Sequence, residues 1–283
     1  MNANPLTAVF DKIAARAETT AQQGDEYTGP DGLIHCKQCD RPRQTVITIF
    51  DRERTVRCDC GCKRAQEERD KQRLQHEARE RRRRECFQGT NMAAWSFTND
   101  DRQRPEISDA MQRYAAQFGE YYRSGKGLLL YGPKGTGKTF MAACIANKII
   151  DSGRSAYMTN FAQAANNLQA TFEKQQYIDR LCDYDLLVID DLGTERKSEF
   201  MQEQVFNIID AKYRSGRPFI ITSNLTAEEL GQPGTISSGR IYDRILERCL
   251  PVKIDGQSRR RQKAANTWED MRAQLGMEGQ PHQ

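Results

Sequence analysis

The sequence predicts an α/β domain built on a parallel β-sheet covered by helices on both faces. Three observations lead there. Five short apolar runs bounded by turn residues read as strands: "GLLLY" (127–131), "SAYMTN" (155–160), "LLVID" (186–190), "PFIITSN" (218–224) and "PVKI" (251–254). Helical stretches separate them; in "TFMAACIANKII" the residues Met141, Cys144, Ile145 and Ile149 recur at helical spacing. Regular alternation of strand and helix is the pattern of a parallel sheet buried on both sides. A chain of 283 residues with 37% hydrophobic content can form one such domain and a smaller appendage.

The first strand runs into "YGPKGTGKT" (131–139), which satisfies G-x-x-x-x-G-K-[ST] through Gly132, Gly137, Lys138 and Thr139. The loop formed by Gly132, Pro133, Lys134, Gly135, Thr136 and Gly137 can turn its backbone N–H groups onto phosphate oxygens. The helix that follows offers its positive end to the same anion. Lys138 is placed to neutralise the β- and γ-phosphates of ATP, and Thr139 to give its hydroxyl to Mg²⁺.

The third strand ends in Asp190 and Asp191. Asp190 is the candidate for the Mg²⁺ shell and Asp191 for orienting and polarising the attacking water. Two aspartates at a strand end also cap helices, and it is the loop at 132–139 that favours catalysis. Asn224, after the fourth strand, can fix the water near the γ-phosphate with its amide, although Asn also suits the turn that begins "NLTAEEL". Further on, "SSGRIYDRILERCL" (237–250) sets Arg240 and Arg244 one helical turn apart, off the apolar stripe of Ile241, Ile245 and Leu246. A rigid, permanently charged fork suits the γ-phosphate better than a lysine does. Pairing with Asp243 and Glu247 is the alternative.

Residues from about 91 to 262 resemble the AAA+ ATPase domain of the DnaC/DnaI-type helicase loaders and the related IstB transposition helpers. The resemblance rests on "GPKGTGKT" as Walker A, "LLVIDDLG" as Walker B, "ITSN" as sensor 1, "GRIYDRI" as the finger segment and the preceding "WSFTNDD". It implies a five-stranded sheet in the order 5-1-4-3-2, ATP with Mg²⁺, and assembly into a ring or spiral. By motif position it makes Arg244 a finger for the neighbouring subunit's nucleotide, Arg240 its helper, and Arg260 of "IDGQSRRRQK" a sensor 2 contact beside Arg259 and Arg261. The partners it implies are single-stranded DNA and a hexameric, DnaB-like replicative helicase gripped N-terminal to the ATPase domain. Asp191 stands where many AAA+ proteins have Glu, one methylene longer, and slow turnover is the expectation. Phe172 and Lys174, between strands two and three, are candidates for DNA contact, with a core position equally open to Phe172.

Nine cysteines would allow disulfides, but five of them fall between 36 and 62, the clustering of a metal site. Cys36 and Cys39 form C-x-x-C; Cys60 and Cys62 complete a four-thiolate zinc set, with Cys58 the rival for Cys60 and His35 a more distant candidate. The intervening "QTVITIFDRERTVR" alternates as a hairpin does. Thiol exchange is the competing reading, without a thioredoxin-like βαβ pattern to support it. The run "KRAQEERDKQRLQHEARERRRREC" carries ten basic against six acidic residues and should be helical, with Glu77–Arg81 and Glu80–Arg84 as i,i+4 pairs. Arg81, Arg82, Arg83 and Arg84 either lie in solvent or meet DNA phosphate or an acidic partner. No apolar run reaches membrane-spanning length and the first twenty residues lack a signal peptide's pattern, so a cytoplasmic protein with no membrane partner is expected. The expected division is a zinc-binding module at 1–62, a basic linker helix at 63–90, the ATPase domain at 91–262, and a C-terminal helix and tail at 263–283, disordered beyond about 277.

Overall fold

The computed structural model describes residues 24–49, 52–193, 199–231 and 236–275. The disordered tail expected beyond 277, and the first twenty residues, lie outside them. The chain divides into two compact units, residues 1–77 and 78–283.

The first unit holds two small antiparallel pairs. Strands β1 (Glu26–Thr28) and β2 (Ile34–Cys36) form one, and β3 (Gln44–Ile49) with β4 (Arg52–Arg57) forms the expected hairpin. Three-residue strands leave too little alternation for β1 and β2 to be seen in the sequence. Helix α1 (Cys62–Phe87) covers the charged run, and the boundary between the units falls inside it.

In the second unit the 3₁₀ turns Asn91–Ala94 and Phe97–Asn99 precede α2 (Pro105–Ala116) and α3 (Phe118–Ser124). The sheet and its helices follow as β5 (Gly127–Tyr131), α4 (Lys138–Asp151), β6 (Ala156–Asn160), α5 (Phe161–Ala170), α6 (Lys174–Asp183), β7 (Leu186–Leu192), α7 (Glu199–Arg214), β8 (Phe219–Ser223), α8 (Ala227–Gly231), α9 (Ile236–Arg248), β9 (Cys249–Lys253) and α10 (Arg259–Gln274). All neighbouring strands are parallel, in the order β6-β7-β8-β5-β9. Counted within the domain this is 5-1-4-3-2, the order the resemblance implies.

Period-two alternation sends successive strand residues to opposite faces. Leu128, Leu130, Val188 and Ile220 pack with Met141, Ile145 and Ile149 of α4. Leu129, Leu187, Ile189, Phe219 and Ile221 pack on the other face with Ile209 of α7 and Ile241 and Ile245 of α9. Both faces are covered, which is why the strand sequences read as unbroken apolar runs. Leu246 leaves the stripe assigned to it and stands 43% exposed. The segment 237–250 is not helical throughout: α9 stops at Arg248, and Cys249 and Leu250 already pair with Gly127 and Leu128 in β9.

The last turns of α1 pack within the second unit. Cys86 and Phe87 join the core, while Arg83 bonds Asn147 Oδ1 at 3.2 Å and pairs with Asp151. The expected Glu77–Arg81 and Glu80–Arg84 pairs are absent among the described residues. Glu80 meets Arg83 at 2.5 Å and Arg73 meets Asp70 at 2.9 Å, because i,i+3 spacing serves as well as i,i+4 and α4 draws Arg83 to that side. No helix among the described residues is long and apolar enough to cross a membrane.

Lys212 is fully buried, its ammonium donating to the carbonyls of Cys182 (3.2 Å) and Tyr184 (2.8 Å) at the end of α6. Burial lowers its pKa to about 8. The folded state therefore gives up this proton at a lower pH than the unfolded chain does, and stability tied to it rises with pH above about 8. Between pH 8 and 10 the protein should gain about 2 kcal/mol relative to Lys212→Met, measured from urea midpoints at both pH values. A constant difference between the two proteins would refute this.

Candidate functional site

The loop after β5 wraps the amino end of α4. Gly132 has φ +136°, and a Cβ there would lie 2.4 Å from the Ile254 carbonyl oxygen. Gly137, with φ +101°, starts α4 in a left-handed conformation that few other residues adopt. Both allow the chain to turn tightly at the amino end of α4. Lys138, 5% exposed, donates from Nζ to the carbonyl oxygens of Gly132 (2.8 Å) and Pro133 (2.7 Å). Burial lowers its pKa, against the pull of Asp191 and Asp190. A buried ammonium satisfied by two neutral carbonyls, at a helix amino end, fits a phosphate group.

Thr139 Oγ1 donates to Asp190 at 3.0 Å (Oδ1) and 3.2 Å (Oδ2), and Thr222 Oγ1 holds Asp190 Oδ1 at 2.5 Å. Burial raises the pKa of Asp190, and the two hydroxyls lower it. The adjacent carboxylate and hydroxyl form an oxygen-rich pair of the kind Mg²⁺ takes. Strand β7 continues through both aspartates rather than stopping at Asp190, and its pairing with β8 shifts between Ile189 and Leu192. Asp191 has φ +64° and its N–H bonds Thr222 Oγ1 at 2.9 Å. In a regular strand the two carboxylates would point to opposite faces; with this irregularity Asp191 lines the cleft while Asp190 bonds Thr139, which also lines it. Asn224 Nδ2 donates to Asp191 Oδ1 at 2.6 Å.

The cleft, of about 560 Å³, is lined by Lys134, Gly135 and Gly137 of the loop and by Lys138, Thr139, Asp191, Asn224 and Arg260, which the sequence singles out; Gly132, Pro133, Thr136 and Asp190 are not among its lining residues, and Asp190 is tied to it through Thr139. It also brings in Arg259, one of the three adjacent arginines from which the sequence offers Arg260, and residues to which the sequence assigns no role. Arg259 lines it, with its N–H on the Gly135 carbonyl at 3.0 Å and its guanidinium on Asp100 (3.4 Å) and Asp101 (2.9 Å). Trp95, 5.7 Å from the Phe140 ring, and Asn99 close the far side. The stretch "WSFTNDD" was visible as a motif, but its place beside the loop depends on tertiary packing. Thr222 lay unnoticed inside "ITSN".

Arg240 and Arg244 are not among the residues lining this cleft. Arg240 is exposed, and Arg244 meets neither Asp243 nor Glu247. Its Nε bonds Asp210 Oδ1 of α7 at 2.6 Å. Phe172 is fully exposed in the turn before α6 and takes no part in the core.

In the first unit the thiols of Cys36, Cys39, Cys60 and Cys62 lie within 4.8 Å of one another. Tetrahedral zinc with Zn–S bonds of about 2.3 Å sets its sulfurs roughly 3.8 Å apart, so the four fit such an ion with little adjustment. Arg43 Nε approaches Cys60 Sγ at 3.5 Å and pulls its pKa down to about 6, favouring the thiolate a metal requires. Cys62 moves up, its thiol bonded to Cys39. Cys58 turns instead to the Pro42 carbonyl at 3.4 Å. His35 is held by Asp31 (2.9 Å) and the Asp40 carbonyl (3.0 Å).

A five-stranded parallel sheet with this loop, acidic strand end and asparagine defines a P-loop AAA+ domain, a class that binds ATP. The family model described as IstB-like ATP binding protein matches residues 61–267, and the chain belongs to that family. It is 28% identical over 178 residues to the replicative helicase loader DnaI of Bacillus subtilis, covering 56% of this chain and 57% of that protein. It is 29% identical over 119 residues to the replicative helicase loader DnaC of Escherichia coli, covering 40% and 47%. The chain thus spans about half the length of the curated relatives it matches. A crystal structure of the DnaC helicase loader shares the fold, with a TM-score of 0.50, 20% identity, and coverage of 59% of this chain and all of that one.

Proposed function

We propose that this protein is an ATPase that loads a hexameric, DnaB-like replicative helicase onto single-stranded DNA, with ATP binding organising several copies and hydrolysis releasing them. The observation that carries the reading is the 28% identity to the replicative helicase loader DnaI over 178 residues. Lys138 and the loop N–H groups would hold the β- and γ-phosphates, and Thr139 with Asp190 would hold Mg²⁺. Bound Mg²⁺–ATP supplies the phosphoanhydride to be cleaved. Asp191, held by Asn224, orients and polarises a water, and Arg260 contacts the nucleotide from α10. Arg244, with Arg240 beside it, serves the neighbouring subunit in a ring or spiral. Asp191 is one methylene shorter than Glu, which suits a slow switch stimulated by assembly or DNA.

Four thiols with zinc would hold the amino-terminal module, and this module with the basic helix would contact the helicase. A second reading, an IstB-type transposition helper, follows from the family description; the cysteine module favours the loader, because the IstB pattern begins with a helical region. A nucleotide-gated interaction module is the third. The deciding measurement is the mass of the complex formed with ATP, single-stranded DNA and the replicative helicase. A defined co-complex supports the loader, and no association with or without ATP overturns it.

Arg244→Ala should leave ATP affinity within about twofold and lower hydrolysis by about 10³-fold, the loss typical of a missing arginine finger. Equilibrium nucleotide binding and steady-state turnover check this. Full turnover by an isolated monomer would remove the finger assignment.

A further inference from the structure

We infer that Asp210 is the positioning residue for the arginine that acts across the subunit boundary; the inference rests on the assignment of Arg244 made above. Asp210 lies on α7 and Arg244 on α9, 34 residues apart in sequence and packed together in the fold. The Asp210 carboxylate is divided between two cations. Oδ1 accepts Arg244 Nε at 2.6 Å, and Oδ2 meets Arg214 Nη2 at 3.0 Å. A second bond runs from Arg244 Nη1 to the Arg240 carbonyl at 3.3 Å. The face of the guanidinium lies over Phe206, with Cζ 4.7 Å from the ring centroid, and Tyr213 stands at 5.9 Å.

These contacts are of three kinds and act on different degrees of freedom. The carboxylate fixes the Nε edge, the helix carbonyl fixes one Nη, and the aromatic face fixes the plane. Among the described residues no hydrogen bond or ion pair falls on Nη2, and the Arg244 side chain is 29% exposed. The held edge therefore faces the protein while the fork retains an edge for an anion outside.

In a half-buried pair such as this one, with Arg244 29% and Asp210 16% exposed, desolvation offsets much of the Coulombic gain, so its value is sought in geometry. An arginine that must meet a phosphoryl group on another subunit gains most when its orientation is set before the partner arrives, since a small misplacement of a charge-stabilising group is costly in rate. Asp210 supplies that orientation from a different helix, so Arg244 does not depend on α9 alone for its direction. Arg214, 71% exposed, holds the far oxygen of the carboxylate and touches neither Arg244 nor the cleft.

The test uses the full-length protein with ATP. Asp210→Ala and Asp210→Asn should lower kcat by about 10- to 100-fold with KM for ATP unchanged, Asp210→Glu should restore part of the rate, and Arg214→Ala should match the parent. A mixing experiment adds a readout that a merely structural role would not move. Asp210→Ala subunits, whose own clefts are intact, should regain turnover when mixed with Lys138→Ala subunits, which can still donate a well-placed Arg244. Unchanged kcat in both Asp210→Ala and Asp210→Asn, with Arg244→Ala inactive, would overturn the inference and leave the finger standing. A rise in turnover on removing the carboxylate would also overturn it, by showing that Asp210 restrains the arginine. Full turnover in Arg244→Ala would instead bring down the finger assignment and the inference with it. Asn is isosteric with Asp, so the comparison holds if the alanine variant unfolds.

Discussion

Lys138→Ala should lower ATP hydrolysis by about 10²–10³-fold, the loss typical of removing one charge-stabilising group from a preorganised site. The geometry argues for a large effect. Lys138 is nearly buried, and its ammonium sits on the Gly132 and Pro133 carbonyls at the cleft. Without it, Asp190 and Asp191 would face a polyanion with one fewer positive group to offset them. Nucleotide affinity should weaken about tenfold or more, and assembly through the variant's own cleft should fail with it, while its Arg244 can still serve an intact cleft on a neighbouring subunit. The fold should survive, because the sheet and α4 are held by apolar packing on both faces. Nucleotide titration, turnover and far-ultraviolet circular dichroism check the three parts. Turnover within a few-fold of the parent, in a folded variant, would move the reaction away from this cleft.

The second large effect is expected in the amino-terminal unit. Among the described residues between 24 and 60 the buried side chains are Glu26, Cys36, Arg43 and Cys60, and Val46 and Ile47 of the hairpin stand exposed. Two thiols and an ion pair, Arg43 to Glu26 at 2.9 Å, cannot supply the apolar burial that holds a small module together. A structural zinc can, since its binding energy of about 10–16 kcal/mol in zinc-finger peptides is folding energy. Cys36→Ser, or a strong chelator, should therefore unfold this unit and expose it to protease while the unfolding transition of the second unit stays in place. Cys58→Ser should change neither, because Cys58 is turned toward the Pro42 carbonyl. Metal analysis should find one zinc per chain in the parent and in Cys58→Ser. Retention of zinc and protease resistance by Cys36→Ser would refute the four-thiol site.

These effects differ in how far the sequence alone anticipates them. The loop at 132–139 is legible because its chemistry is local: glycines, lysine and threonine act within one turn between a strand and a helix. Asp190, Asp191 and Asn224 are legible as strand ends once that loop is in view. The position of Asp191 is not, since it depends on a shift in pairing between β7 and β8 that no spacing records. Thr222, Arg259 and Trp95 lie in stretches the sequence does single out, "ITSN", "SRRRQ" and "WSFTNDD", but they enter the site from segments far apart in the chain, and no spacing says that these particular side chains take part.

By itself the sequence determined the alternating strand–helix plan, the phosphate-binding loop, the acidic strand end and the pairing of Cys36–Cys39 with a second thiol cluster, because each is written in periodicity or short spacing. Only the tertiary structure decided that Cys60 rather than Cys58 joins the other three thiols. It also decided that Arg83 docks on α4 instead of lying free on a charged helix, and that Arg244 is held by Asp210. The reason is physical: local backbone preferences act over a few residues, whereas a side chain's partner is set by whichever distant element the core brings alongside it.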